Sequence, residues 1–246
     1  MSRWKAAAIH LSISVLIGVL SAALIFGLWY PPPYSHAAGA DHLVLVLLCV
    51  DAVLGPVLTL IVYRHGKKGM RFDLAVITLL QACAFSYGMS VVIKARPAFI
   101  VATVDRYVMV AASELAADDL AKGREQAFRS LSWTGPRLVY AQRPENKSER
   151  SDLLFSGVGG KDIEKFPKYY ADYAMHGAAM LDRAIPLTRI RDTPEAHALL
   201  DSWLLQHSRD RADVAWLPLA ARRADMVVLI DRKDGSVLGA LPIDPW

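Results

Sequence analysis

The chain has 246 residues, 54% of them hydrophobic and 21% charged, with a net charge of +4 at pH 7. Residues 1–93 hold six Lys/Arg and three Asp/Glu, leaving 22 of the 28 basic and 21 of the 24 acidic residues to the segment from Lys94 onward. The excess charge therefore belongs to the apolar N-terminal part. The remainder is nearly neutral with its signs interspersed, a pattern that excludes a polyanion-binding surface and with it nucleic-acid binding.

Three apolar runs come first in the chain, over about Ala6–Trp29, Leu43–Tyr63 and Phe72–Ile93. Each has the roughly 20 residues needed to cross a hydrocarbon core of about 30 Å at ~1.5 Å per residue. The expected fold is thus a membrane protein with three N-terminal transmembrane helices in residues 1–93, followed by one α+β extracytoplasmic domain in residues 94–246. Arg3, Lys5, Arg64, Lys67, Lys68 and Arg71 all fall on one side if the N-terminus shares a compartment with the loop between the second and third runs. The other short loop, Pro31–Asp41, carries no Lys or Arg. Positive charge in short loops marks the cytoplasmic side, so the N-terminus is expected in the cytoplasm and everything after Ile93 on the far face. Ala38-Gly39-Ala40 resembles a cleavage site, but the preceding run is far longer than a signal-peptide core, and an uncleaved anchor is expected. Cys49 and Cys83 lie inside spans, so no disulfide framework is expected beyond the membrane.

Residues 94–246 read as a single domain of ordinary size. Strands are expected over Pro97–Val104, Tyr107–Val110 and Leu138–Ala141, the last after the turn signal Gly135-Pro136. A helix is expected over Glu114–Lys122 with Ser113 as N-cap, continuing into Arg124–Ser130. Pro144–Ser151 is expected as a loop or helix start. Another helix opens at Asp192-Thr-Pro-Glu195, with Pro194 in its first turn, and runs to about His207. Met226–Asp231 and Ser236–Leu241 form a hairpin with Asp-Gly at its turn. Trp216–Leu219 reads as an edge strand because of Pro218. The strand order is not legible.

Polar residues inside the spans are the strongest functional signals. Asp51 lies mid-span, where an ionised carboxylate costs about 3 kcal/mol on insertion scales. At ~1.5 Å per residue it stands roughly 18 Å from the basic side, between Gln81 at about 14 Å and Tyr87 at about 22 Å, its nearest internal partners in depth. Two readings stand side by side: polar glue within the helix bundle, or a contact with a partner's membrane helix. Gly55-Pro56 follows one turn later; the proline removes a backbone donor and frees a carbonyl near Ala52, so a bend there could form a docking notch. Asp73 is expected to cap its helix or pair with Lys67, Lys68 or Arg71.

Catalytic signals are weak. His176, His197 and His207 show no metal-ligand spacing, Ser156-Gly-Val-Gly-Gly160 lacks the end of a P-loop, and no G-x-S-x-G occurs. No cofactor or metal is expected, and no enzymatic activity. Tyr169, Tyr170 and Tyr173 are either a packed helix or turn, or an exposed tyrosine ladder for binding another protein.

Several strings are familiar together: Arg3-Trp-Lys-Ala-Ala-Ala-Ile-His-Leu-Ser12, Val50-Asp-Ala-Val-Leu-Gly-Pro-Val-Leu-Thr-Leu-Ile61, Gly69-Met-Arg-Phe-Asp-Leu-Ala-Val76, Ser151-Asp-Leu-Leu-Phe155 and Pro242-Ile-Asp-Pro-Trp246. Over nearly its full length the chain resembles the type IV pilin accessory proteins of Gram-negative bacteria (the TfpX/TfpZ type), also known as fimbrial assembly proteins. The resemblance implies an inner-membrane factor for pilin stability, pilus assembly or pilus dynamics. Its partners would be the major pilin, through membrane helix and periplasmic head, with the pilus assembly machinery and the lipid bilayer around it; no catalytic residues are implied. Ser12, Ser14, Gly18 and Ser21 put small residues on the first span where a helix can approach closely. Two readings of other classes remain: a membrane-anchored periplasmic ligand sensor and an envelope-modifying enzyme.

Overall fold

In the computed structural model, which describes residues 2–246, three helices are long and apolar enough to cross a membrane: Arg3–Trp29, Ala40–Val62 and Met70–Ala95. The first is α1 (Arg3–Leu24), extended by a π-helical turn over Ile25–Trp29, and Ser2 caps its start by accepting the Lys5 amide. A single short turn, α2 (Tyr34–Ala38), precedes α3 (Ala40–Val62), and α4 (Met70–Ala95) follows the basic loop. Helix α3 packs against both α1 and α4, which hardly touch each other. Glycines let it in: a Cβ on Gly18 of α1 would meet Leu48, and one on Gly88 of α4 would meet Leu47. The close approach expected at Gly18 is therefore made by the chain's own α3. Asp73 pairs with Lys67 at 2.5 Å.

Arg96 alone separates α4 from β1 (Pro97–Ala102), which hairpins into β2 (Tyr107–Ala111). Then come α5 (Ala117–Leu120), β3 (Arg137–Ala141), α6 (Lys147–Val158), β4 (Tyr170–Asp172), α7 (Tyr173–His176), β5 (Ile185–Pro186), α8 (Pro194–Gln206), β6 (Val214–Ala220), β7 (Met226–Asp231) and β8 (Val237–Leu241). They form one sheet in the order β4-β3-β1-β2-β6-β7-β8, with β5 also on β6; β1/β3 and β2/β6 are parallel and the other pairs antiparallel.

Side chains alternate between the two faces of the sheet. Ile100, Ala102, Tyr107, Met109, Leu217 and Leu219 share a core with Trp29, Tyr30, Ala37 and Val92 from the ends of the spans. Phe99, Val101, Val110 and Val139 face the other way onto Leu120, Phe128 and Tyr170. Trp216, Val227 and Leu229 pack on Leu200 and Leu204 of α8. The sheet thus lies across the helix ends and is covered on both faces, which is why its central strands read as unbroken apolar runs. Tyr30, between the expected first span and the loop after it, is fully buried and donates its hydroxyl to the Val92 carbonyl at 2.8 Å. The Arg223 amide likewise donates to the Ala37 carbonyl at 2.9 Å.

Three expectations change. The helix over Glu114–Lys122 is broken: Ala112–Glu114 is a 3-10 turn containing Ser113, which caps nothing, and α5 is one turn long. Gly123 lies against the Phe128 backbone, so the chain folds back there and Arg124–Ser130 holds only a 3-10 turn at Gln126–Phe128. Strand β6 is interior rather than an edge. Its pairing with β5 covers Ala215–Trp216 and its pairing with β2 covers Leu219–Ala220, so Pro218 stands in the interruption between them. Pro144–Ser151 proves to hold a helix start, with Asn146 accepting the Ser148 amide at the head of α6.

A shared core predicts the behaviour of the head on its own. Residues 94–246 expressed alone would expose the sheet face that the helix ends cover, an apolar patch larger than soluble monomers tolerate. That fragment is expected to self-associate in size-exclusion chromatography without detergent, and a monodisperse soluble monomer would contradict the shared core.

Candidate functional site

The splay of α1 and α4 on either side of α3 leaves a lateral groove along the membrane-spanning part, a cavity of about 480 Å³. Ile9, His10, Ile13, Ser14 and Ile17 of α1 form one wall, Leu74, Thr78, Gln81, Ala82 and Phe85 of α4 the other, and Asp51 and Thr59 of α3 the floor. The three isoleucines recur at i, i+4 and i+8, so one face of α1 presents an apolar ridge to the opening. At the sheet end the two walls are drawn together by the Tyr30–Val92 bond.

The groove's polar groups differ in how well they are satisfied. His10 Nδ1 and Thr59 Oγ1 lie 2.6 Å apart, tying α1 to α3 at the end that carries the basic residues. The Gln81 amide donates to the main-chain carbonyl of Asp51 at 3.4 Å, not to its carboxylate. It reaches that carbonyl because Gly55 is bare; a Cβ there would collide with the Gln81 amide. Pro56, buried beside it, has no amide to offer the Ala52 carbonyl one turn back. Among the described residues the Asp51 carboxylate has no hydrogen-bond or ion-pair partner, and it faces the groove.

The remaining sequence-selected residues separate clearly. Tyr87 is 74% exposed on the outside of α4 and is no partner of Asp51. Tyr169, Tyr170 and Tyr173 form no exposed ladder, all three being buried. Tyr170 packs 5.0 Å from the Phe99 ring and Tyr169 edge-on to Phe166, while the Tyr173 hydroxyl joins Tyr107 at 2.6 Å and donates to the Gly235 carbonyl at 2.6 Å. Burial pushes the Tyr107 and Tyr170 hydroxyls far above the ordinary tyrosine range, so both stay protonated as hydrogen-bonding core residues. Arg3, Lys5, Arg64, Lys67, Lys68 and Arg71 are all exposed at the end of the helices away from the sheet. Sequence reasoning missed the His10–Thr59 tie; its available signal was a hydroxyl and an imidazole at similar depth on adjacent spans.

A second cavity, about 910 Å³, lies on the head between the β1–β2 turn and α6. Its polar groups are largely engaged with the chain itself: Arg106 with Asp105, Arg150 with the Pro144 carbonyl, and Asp162 with the Ile163 amide. Burial raises the Glu164 carboxyl above its usual range. No group of three or more His, Cys, Asp or Glu side chains able to hold a metal occurs among the described residues.

Fold and groove together define a class: a three-span membrane protein whose α+β head rests on its own helix ends and whose spans enclose a lateral, partly polar groove. The chain belongs to the fimbrial assembly protein family. The family model described as "Fimbrial assembly protein FimB" matches residues 1–39. Two Dichelobacter nodosus proteins, the fimbrial assembly proteins of serogroups I and E1, are 27% and 28% identical, each over 98% of this chain and 95% of their own length. A shorter one, of serogroups C1 and C2 in the same organism, is 33% identical over 47% of this chain and 90% of its own length. No solved structure matches.

Proposed function

We propose that the protein acts in fimbrial assembly as a non-enzymatic binding factor, taking the apolar membrane helix of a type IV pilin into the groove between α1 and α4. The observation that carries this reading is Asp51, a carboxylate without a partner in a groove open within the membrane-spanning part. Within a bilayer helices associate through close packing and polar contacts, since lipid offers no hydrophobic drive. An intramembrane carboxylate is costly unless a donor meets it. An apolar helix bearing one hydrogen-bond donor or cation at the depth of Asp51 would satisfy both conditions. The names of the relatives supply the pilus context, and the head, set directly on the helix ends, would stand beside the pilin's own globular part.

The same reading puts the chain in the bacterial inner membrane, with the six basic residues in the cytoplasm and the head in the periplasm. Alkaline phosphatase fused after Trp246 is expected to be active, and a cytoplasm-only fluorescent reporter at the same site dark. The opposite pair of results would overturn the orientation. The binding role is tested by isolating the tagged full chain from membranes in mild detergent. Pilin is expected to co-purify in amounts well above other inner-membrane proteins, and its absence at normal pilin levels would count against the proposal.

A further inference from the structure

One loop of the head is fastened to the ends of two spans. The Gly135 amide donates to the carbonyl of Leu28, a residue inside the first span, at 2.5 Å, and a Cβ at Gly135 would meet Pro31. Arg96, the residue that ends α4, holds the same loop from the other side. Its guanidinium donates to the Ile93 carbonyl at 2.7 Å and to the Ser132 carbonyl at 3.3 Å. Residues 132–135 are therefore fastened to the last turns of two spans. Between these anchors Trp133 lies with the Arg96 guanidinium 5.6 Å from its ring centroid, yet it is 70% exposed.

The geometry points to Trp133 as a lipid-binding anchor that sets the head into the headgroup region of the leaflet on the sheet side. An indole with one face held by a cation and the rest open is amphipathic, and tryptophan is favoured where headgroups meet acyl chains. The spacing agrees. Trp4, at the other end of α1, is 65% exposed, with the Arg3 guanidinium 5.9 Å from its ring centroid. From Trp4 to Leu28 the helix rises about 36 Å at ~1.5 Å per residue, between the thickness of the hydrocarbon core (about 30 Å) and that of the whole bilayer (about 40–45 Å). Trp4 and the Leu28 end of the span, to which the Trp133 loop is bonded through Gly135, therefore fall in opposite interfacial zones. The head is thereby held at a fixed depth, and the loop that closes the sheet end of the α1–α4 gap is kept in lipid rather than water.

The test uses the full chain in phosphatidylglycerol/phosphatidylethanolamine vesicles, with Cys49→Ala and Cys83→Ala as background. A nitroxide is placed by Trp133→Cys or, as a water-facing control on α8, by Leu205→Cys, a position 84% exposed. Power saturation is expected to show the label at 133 several-fold more accessible to oxygen than to a water-soluble nickel chelate, with the order reversed at 205. In parallel, brominated lipids are expected to quench less fluorescence from Trp133→Phe than from the parent, which checks the same contact without a label. Equal nickel accessibility at 133 and 205, with unchanged lipid quenching, would overturn the proposal. So would a label at 133 that is water-exposed in vesicles and becomes shielded only when pilin is added, because the surface would then be a protein contact.

Discussion

Asp51→Leu is expected to leave the protein in the membrane at its normal level while pilin binding weakens by about 3- to 30-fold and surface pili fall with it. The range follows from interhelical polar contacts worth roughly 0.6–2 kcal/mol in membranes. The protein's own stability has no reason to fall, since the carboxylate has no internal partner and its removal relieves an insertion cost of about 3 kcal/mol. Asp51→Asn keeps an acceptor and a donor at the same depth and should fall between parent and Leu. Immunoblots of membranes and counts of surface pili from the same cultures check this. A lower membrane level in Asp51→Leu would make Asp51 internal glue, and normal pili at a normal level would remove it from binding altogether.

Tyr30→Ala is expected to have the largest effect on stability, about 3–5 kcal/mol, in the range of large aromatic truncations in packed cores. Tyr30 is fully buried where the sheet meets the helix ends, and its hydroxyl bond to Val92 ties the first span to α4. Tyr30→Phe keeps the ring and loses one hydrogen bond, worth about 1 kcal/mol net. Thermal melts in detergent should rank parent, Phe and Ala in that order, with the Ala variant also cleaved sooner by protease near Arg96. Equal melting of all three would mean that the head and the spans are not one cooperative unit.

Much of this architecture was legible because the bilayer imposes lengths and charges that composition reveals. Three runs of apolar residues and an unequal distribution of Lys/Arg needed no tertiary information, β-branched and aromatic runs marked β1, β2 and β7, and the Asp-Gly turn marked β8 as the second arm of a hairpin. What failed depended on direction or on distant neighbours. Counting residues placed Asp51, Gln81 and Tyr87 at similar depth, but depth does not fix rotation about the helix axis. Gln81 turns to the main chain over Gly55, and Tyr87 turns outward. Tyr169, Tyr170 and Tyr173 have the same composition whether they line a surface or fill a core, and the matter is decided by Phe166 beside Tyr169, Phe99 and Phe128 beside Tyr170, and Tyr107 beside Tyr173. Pro218 suggested an edge because a proline breaks a ladder, yet here two short partner strands leave a gap at that residue. Pro31–Asp41 read as a loop, yet Ala37, Ala38 and Ala40 within it, with Tyr30 just before it, join the core because a sheet encoded by residues 97–241 settles on them.

The central claim, that the groove receives a pilin helix, is tested most directly by photo-crosslinking in living cells. A photoreactive amino acid is placed in turn at Ile13 and Thr78, which line the groove, and at Leu20 and Leu79, exposed positions outside it. The account predicts a pilin adduct from Ile13 and Thr78, mapping to the pilin's apolar helix, and none from Leu20 or Leu79. Adducts of equal strength from all four positions, or none from the two groove positions while pili assemble normally, would contradict it.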